Sequence, residues 1–211
     1  EAAPDESKRG RFSYSNLGYQ LLGKVVERVT GQSFEEVTQE RVFEPLSMET
    51  AFFGSYPSPL RDQKNLPWGH VPETGLPEME NHQALSYSDG NVYASLEDWL
   101  KFLQHRMDQR NGLTHAAQIS VDEERGYYTT ASLVLQGDGR VYDHFGSSGL
   151  DRAYNMLIPE MKAAICAVSN DGSEHAKQAV QEVAEKARLL VEEQLQSQHK
   201  PASHRQGRSN G

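Results

Sequence analysis

The chain has 211 residues, of which 30 are acidic and 21 basic, so its formal net charge is −9 at pH 7. This length suffices for one domain with a hydrophobic core. The excess of acid argues against nucleic acid as a partner. No apolar run approaches the ~20 residues that cross a bilayer, and a single cysteine, Cys166, excludes an internal disulfide.

The first part of the chain is predicted to be helical after a flexible lead at 1–10. Ser15 or Asn16 can cap a helix over 16–30, and Gly31 can end it. Its apolar residues recur at helical spacing and form one stripe: Leu17, Leu21, Leu22, Val25, Val26 and Val29. Ser33 and Glu36 have the spacing of a capping box, which predicts a second helix that the chain leaves at Pro45.

The middle of the chain carries weaker signals. Residues 54–86 are rich in proline and lack a long periodic segment, which predicts a loop with one short strand at "WGHV". Ser95 and Asp98 then open a capped helix, "SLEDWLKFLQHRM". Its predicted core face is Leu96, Trp99, Leu100 and Leu103.

From residue 126 the pattern changes to four β-rich runs, namely 126–136, 140–146, 153–159 and 163–170. The "GDG" between the first two runs predicts a hairpin turn. A final helix is predicted over 173–195, followed by a disordered polar tail at 196–211. This order predicts an α+β fold in which an antiparallel sheet packs with helices.

Several ordered motifs resemble one family. They are "YSNLGY" at 14–19, "TG" at 30–31, "FEPLSM" at 43–48, "SDGNVYASLEDWL" at 88–100 and "HFGSSGLDRAYNMLIP" at 144–159. In this order and spacing they resemble the serine β-lactamase and D-alanyl-D-alanine carboxypeptidase family, in its class C β-lactamase-like and esterase-like branch. The resemblance covers roughly residues 11–195, which form the expected domain. It implies a partial β-lactamase-like transpeptidase fold.

The resemblance also implies a reaction and its residues. In this family a serine of a Ser-x-x-Lys motif attacks an amide or ester carbonyl and forms an acyl-enzyme. Tyr14 would then be the general base or proton relay, and Asn16 would hold the amide side of the substrate. His144 would polarise the site near Tyr14, while Gly146 and Ser147 would line the cleft, with the Ser147 N–H donating to the oxyanion. The implied partner is a small-molecule or peptide substrate, with no cofactor and no metal.

Physical chemistry fits these roles. A tyrosine hydroxyl ordinarily titrates near ~10, and adjacent cations lower such a pKa by ~1–3 units. A helix start adds a modest positive field near Tyr14, and each preorganised N–H donor stabilises an oxyanion by ~3 kcal/mol. The structural alternatives are a helix cap and packing aromatic for Tyr14 and Asn16, and an ordinary sheet histidine for His144. Other residues with two open interpretations are Trp68, His70 and Tyr87 (cleft wall or loop anchor) and Arg152 (substrate carboxylate or solvent).

The nucleophile is the missing element. The one Ser-x-x-Lys, at 197–200, lies in the polar tail before Pro201, and we interpret it as chance. A triad of Asp143, His144 and a neighbouring serine is excluded because adjacent strand residues point to opposite faces. We therefore expect the N-terminal strands and the nucleophile helix to lie in a segment outside these residues. The expected partners of the chain are that segment and the substrate. We also expect this chain alone to be inactive, and apolar helix surface and a sheet edge to be uncovered.

Two rival interpretations stay open from the sequence. One is a non-catalytic binding or regulatory protein that retains the cleft, and the other is a truncated product without function. The first ten residues lack the apolar core of a signal peptide, while the resemblance implies an extracytoplasmic location. The sequence does not choose among β-lactams, D-amino-acid peptides and small esters as substrates.

Overall fold

The computed structural model describes residues 13–54, 67–78, 88–108 and 141–198, and the backbone of 119–122, 126–129 and 132–135. The described helices are α1 (Asn16–Thr30), α2 (Phe34–Thr38), α3 (Leu96–Asp108) and α4 (Glu174–Gln198), with a π-helical turn at Gln39–Phe43 after α2. The described strands are β1 (Phe52–Phe53), β2 (Gly69–His70), β3 (Pro77–Glu78), β4 (Val92–Tyr93), β5 (Ile119–Asp122), β6 (Gly126–Thr129), β7 (Ser132–Leu135), β8 (Val141–Gly146), β9 (Arg152–Ile158) and β10 (Ala163–Ser169).

The helix ends follow the predicted capping chemistry. Ser15 is extended, and its side chain accepts a hydrogen bond from the Gly18 N–H at 3.1 Å. Gly31 ends α1 with a left-handed φ of 74°, a conformation that glycine adopts without a Cβ clash. Ser33 and Glu36 form the predicted capping box of α2. These short-range predictions are confirmed because each depends on residues within one turn.

The β-strands of the second half form an antiparallel sheet, which in the described part of the chain has the order β10-β9-β8-β7-β6-β5. Leu135 pairs with Val141, as the predicted hairpin between β7 and β8 requires. The predicted single strand at 126–136 is wrong, because it is two strands, β6 and β7, that pair with each other. Its continuous β-forming composition hides the reversal, and the sequence also did not predict β5.

The sheet packs one helix on each face. On one face α4 covers a cluster of buried residues, namely Tyr154, Met156, Ile158, Ile165, Ala167, Val180 and Ala184. On the other face Leu103 of α3 packs against Tyr142 and Leu157, with Trp99 and Phe102 beside them. Side chains alternate along each strand, so the odd- and even-numbered positions of β8 belong to different faces.

The predicted core face of α3 is partly wrong. Leu96 and Leu100 are exposed, whereas Leu103 and Met107 are buried. The buried face therefore runs through Trp99, Leu103 and Met107, which are spaced four residues apart, with Phe102 beside them. The composition of α3 offers leucine on both sides, so the periodicity does not fix the rotation.

The apolar stripe of α1 faces outward. Five of its residues are more than half exposed: Leu17, Leu21, Leu22, Val25 and Val29. The opposite side of α1 contacts the 88–89 segment, where Ser88 donates to the Tyr19 carbonyl at 2.9 Å and Gln20 donates to Asp89 at 2.8 Å. The expected uncovered helix surface is therefore a property of the described fold. β10 likewise lies at one edge of the described sheet.

The remaining predictions concern the chain ends. α4 runs to Gln198, three residues into the predicted polar tail at 196–211. The predicted flexible lead at 1–10 and the rest of the tail lie outside the described residues. Among the helices that the structure describes, none combines the length and the apolar character that crossing a membrane requires.

Candidate active site

Tyr14 and Asn16 stand at the start of α1 with exposed side chains. The Tyr14 side chain is 60% exposed and makes no hydrogen bond to another described residue. Ser15 supplies the cap of α1, so Asn16, the first helical residue, is not needed for capping. The cap alternative for Asn16 is therefore wrong, and its amide stays available at a helix N-terminus.

His144 lies on the α3 face of the sheet. It follows Tyr142, which is buried against Leu103, and its register partner across the sheet is Asn155 of β9. Burial lowers the pKa of the His144 imidazole, and the positive charge of Arg106 lowers it further. A neutral imidazole presents one N–H donor and one acceptor. His144 can thus offer a hydrogen-bond donor and an acceptor without carrying a permanent charge.

Asp143 points to the opposite face. Tyr154, in the cluster covered by α4, donates its hydroxyl to Asp143 Oδ2 at 2.7 Å. Burial raises the pKa of the Asp143 carboxyl, and burial together with the Asp143 hydrogen bond raises the pKa of Tyr154. Asp143 therefore cannot orient His144, and the predicted exclusion of a triad at 143–148 is confirmed.

Ser147 opens the turn between β8 and β9. Its Oγ accepts a hydrogen bond from the Gly149 N–H at 3.1 Å and donates to the Asp151 carbonyl at 3.3 Å. The guanidinium of Arg152 also donates to this Oγ. The solvent alternative for Arg152 is wrong, because its side chain is only 10% exposed and donates to Ser147 and the Asp151 carbonyl. The carboxylate that it approaches in this structure is Glu174, at 3.7 Å. The engaged Ser147 hydroxyl is no free nucleophile.

The 67–70 segment is joined to this turn by backbone hydrogen bonds. The His70 N–H donates to the Leu150 carbonyl at 2.9 Å, and the Gly172 N–H donates to the His70 carbonyl at 3.2 Å. His70 Nδ1 lies 2.7 Å from the Asn170 carbonyl, which can only accept, so Nδ1 carries the hydrogen. His70 is thus a loop anchor.

Trp68 is anchored through its backbone. Its carbonyl accepts from Asn170 at 3.0 Å, while the residue remains 49% exposed. Its aromatic side chain therefore stays exposed beside the segment that contacts the β8–β9 turn, and its role as a cleft wall stays a prediction. Tyr87, the third residue of that prediction, lies outside the described residues.

The predicted site residues form two groups. His144, Gly146 and Ser147 are brought together on β8 and its turn, whereas Tyr14 and Asn16 lie on α1. No hydrogen bond between the described residues joins the two groups. The sequence did not identify Arg152 as an anchor or Asn155 as the partner of His144. The alternation of the two strands, once their register is known, is the signal that finds both.

Other candidates for a nucleophile or ligand are weaker. Ser197 is exposed at the end of α4 and donates to the Gln194 carbonyl at 2.7 Å, while Lys200 lies outside the described residues. Burial raises the pKa of the Cys166 thiol to about 11, which suppresses the thiolate. Within the described ranges, no group of three His, Cys, Asp or Glu residues is placed to hold a metal ion.

Comparison with known proteins is consistent with the fold. The Beta-lactamase family model matches residues 1–189. Protein flp of Staphylococcus aureus (strain MW2) is 23% identical over 176 residues, which is 81% of this chain and 35% of that protein. A D-aminopeptidase of Gluconobacter oxydans (strain 621H) is 26% identical over 132 residues, 59% of this chain and 24% of that protein. A class C beta lactamase from Rhodobacter sphaeroides superimposes with a TM-score of 0.69 at 13% identity, over 84% of this chain and 60% of that one.

These matches cover most of this chain but only part of each relative. The chain spans about a third of the length of protein flp and about a quarter of the D-aminopeptidase. The match to the class C beta lactamase concerns the fold alone, and that fold is present here in part. With a family model matched over residues 1–189, the chain belongs to the Beta-lactamase family.

Proposed function

We propose that this chain forms the Tyr-x-Asn and His-x-Gly walls of a serine hydrolase that cleaves an amide or ester through an acyl-enzyme. The substrate classes are β-lactams, D-amino-acid peptides and small esters. The observation that carries the proposal is the state of Tyr14 within a matched Beta-lactamase sequence. Tyr14 is exposed and its hydroxyl makes no hydrogen bond to a described residue, while the neighbouring Ser15 caps α1.

The proposed reaction assigns a proton or a contact to each residue. The serine oxygen forms a bond to the carbonyl carbon while its proton passes to the Tyr14 oxygen, which the lysine of the same Ser-x-x-Lys segment keeps deprotonated. Tyr14 returns that proton to the nitrogen or oxygen that leaves when its bond to the carbonyl carbon breaks. The Ser147 N–H donates to the oxygen that becomes negative, and the Asn16 amide holds the amide side of the substrate. Neutral His144 donates a hydrogen bond into the cleft. Water then repeats the sequence and releases the acid.

The serine itself is proposed to come from a segment outside the 211 residues. In this sequence the Ser-x-x-Lys pattern occurs only at 197–200, where Ser197 is engaged with the end of α4. The exposed apolar stripe of α1 is the surface that such a segment would cover, since a helix with one apolar face normally buries it. The 211-residue chain by itself is then expected not to hydrolyse these substrates.

The first test is the intact mass of the native product from its source, with peptide mapping. We expect a mass above 23.7 kDa and a peptide that bears Ser-x-x-Lys. A fluorescent penicillin or a fluorophosphonate should label that serine, and Tyr14→Phe should slow labelling by about 10²-fold or more. The isolated 211-residue chain should not be labelled.

Other outcomes have definite meanings. A native product of 23.7 kDa that resists both probes contradicts the hydrolase and favours a binding protein that retains the cleft. Labelling of the isolated chain at Ser147 or Ser197 contradicts the assignment of the nucleophile. Unchanged labelling of Tyr14→Phe contradicts the role of Tyr14.

A further inference from the structure

Arg152 is placed unusually for an arginine. It is the first residue of β9, and its side chain is only 10% exposed. Nη1 donates to the Ser147 hydroxyl and, at 3.0 Å, to the Asp151 carbonyl. Nη2 lies 3.7 Å from Glu174 at the start of α4. The guanidinium is therefore on the α4 face of the sheet, behind the face that carries His144.

The Ser147 side chain points to this same rear face. Its hydroxyl receives the Arg152 and Gly149 donors and donates to the Asp151 carbonyl. The hydroxyl is thus closed inside the turn. The Ser147 N–H, in contrast, makes no hydrogen bond to another described residue.

The rest of the turn is fixed from two further sides. The Ser148 N–H donates to Asp151 Oδ1 at 3.3 Å, and the Leu150 N–H donates to Ser148 Oγ at 3.1 Å. Gly172 approaches so closely that a Cβ there would lie 1.9 Å from the Gly149 carbonyl oxygen. Within the described turn, Ser148 is held by the Asp151 carboxylate, whereas the Ser147 hydroxyl is the group that receives the Arg152 guanidinium.

We propose that Arg152 is the positioning residue of the oxyanion hole, holding the Ser147 hydroxyl from the rear face of the sheet so that the Ser147 N–H keeps its place in the cleft. This inference rests on the proposed function of Ser147. It adds a residue that touches neither substrate nor nucleophile. The guanidinium acts through one hydroxyl and fixes the backbone that carries that hydroxyl.

An unsatisfied donor supports this role. Arg152 Nε is buried and has no hydrogen-bond partner. A buried donor without a partner is unfavourable, so native proteins keep few of them. If Arg152 served stability alone, a geometry with all its donors paired would be better. The observed geometry instead directs Nη1 at the Ser147 hydroxyl and the Asp151 carbonyl, with Nη2 facing Glu174.

The experiment compares variants of the complete native protein on a chromogenic cephalosporin and p-nitrophenyl acetate. We expect Arg152→Met to lower kcat by about 10²-fold with KM nearly unchanged, because a displaced donor weakens transition-state binding more than substrate binding. Arg152→Lys should recover little, since a single ammonium cannot replace both Nη1 at Ser147 and Nη2 near Glu174. Arg188→Met is the matched control, because Arg188 pairs with Glu185 and Glu192 within α4, and it should leave kcat unchanged.

A double-mutant cycle tests whether Arg152 acts through Ser147. Ser147→Ala keeps the backbone N–H but removes the hydroxyl, so it should resemble Arg152→Met, and the double variant should be no worse than either. Additive effects would overturn the inference. So would an Arg152→Met protein that melts earlier but keeps the wild-type kcat in its folded fraction.

Amide hydrogen exchange separates this inference from the proposed function. In Arg152→Met and Ser147→Ala the amides of Gly149 and Leu150 should exchange at least tenfold faster, while those of β9 keep their protection. Unchanged exchange at the turn overturns the inference even if the wild type is an active hydrolase. Faster exchange in a protein that hydrolyses nothing supports the anchor and contradicts the proposed function.

Discussion

Asp98 is a carboxylate buried at the first turn of α3, with only 3% of the residue exposed. It accepts hydrogen bonds from the Thr50 N–H at 2.7 Å and from Lys101 at 2.6 Å. Burial opposes its ionisation, but the Lys101 and Thr50 hydrogen bonds outweigh burial and lower its pKa from the ordinary 3.8. The charged form thus ties α3 to the segment before β1.

We expect Asp98→Asn to lower the free energy of unfolding by about 2–3 kcal/mol at pH 7. The amide replaces one accepting oxygen by an NH₂ group, which cannot accept the hydrogen bond from Lys101 or Thr50. Since the folded-state pKa is lowered, the stabilisation is present above the ordinary pKa of 3.8 and is lost as pH falls through the lowered value. The difference between wild type and variant should therefore shrink below pH ~4. Urea unfolding at several pH values measures it, with exposed Glu97→Gln as the control. Equal stability at pH 7 would contradict this role.

Cys166 gives a second prediction at the residue scale. Burial raises the pKa of its thiol to about 11, from an ordinary 9.0. At pH 8 its thiolate fraction, and hence its alkylation by iodoacetamide, should be about 10²-fold below that of an exposed cysteine. Mass spectrometry of timed samples measures the rate, with the urea-unfolded chain as the control. Alkylation of the native chain at the unfolded rate would show that the thiol is not shielded.

At the residue scale, the sequence identifies residues whose contacts are local or that belong to a recognised motif. Ser15, Gly31 and the Ser33–Glu36 box can be predicted because each contact spans at most four residues. The role of Arg152 could not be, because its partner Ser147 meets it only after the turn closes and β9 pairs with β8. The buried state of Asp98 likewise depends on Thr50, which is 48 residues away.

Gly172, which precedes α4, lies in close backbone contact with the turn between β8 and β9. An added Cβ would lie 1.9 Å from the Gly149 carbonyl oxygen and 3.0 Å from Leu150 Cα, which are backbone atoms and cannot rotate away. We expect Gly172→Ala to lower the free energy of unfolding by about 1–3 kcal/mol by forcing the β8–β9 turn away from α4. It should also speed amide exchange at Gly149 and Leu150.

Gly90→Ala is the matched control for that substitution. A Cβ at Gly90 would meet nothing within 4 Å, and its backbone φ is ordinary. The same chemical change should therefore be nearly neutral there. Urea unfolding of the two variants side by side measures the difference. Equal effects would mean that the clash at Gly172 is relieved without opening the turn.

At the scale of elements, sequence patterns predict some features of the strand pairing and fail to predict others. The register of β8 and β9 follows from their lengths and their short turn, so the separation of Asp143 from His144 could be argued from alternation alone. The division of 126–136 into β6 and β7 could not, because β-forming residues continue across the reversal. The outward stripe of α1 follows its periodicity, but periodicity does not say whether a neighbour covers it.

At the scale of the whole molecule, both α1 and α4 carry exposed apolar residues. The apolar stripe of α1 is exposed, although monomeric proteins rarely show a large contiguous apolar patch. α4 also exposes apolar residues, among them Val183 and Leu190. If the complete protein covers α1, substitutions on α1 should lower the stability of the complete protein more than substitutions on α4. In the isolated chain the two sets of substitutions should have the same effect on stability.

The test replaces exposed apolar residues in pairs. Leu21 and Val25 on α1 are 59% and 57% exposed, and Val183 and Leu190 on α4 are 58% and 61% exposed, so the two pairs are matched. Each pair changed to glutamate should alter the stability of the isolated chain by about 0.5 kcal/mol or less per residue. The α1 pair alone should lower the melting temperature of the complete native protein, because there its glutamates would be buried against the covering segment. Sedimentation of the isolated chain should show less self-association with the α1 pair. Equal melting temperatures for the two pairs would mean that α1 stays exposed in the complete protein, and a different surface would have to receive the nucleophile.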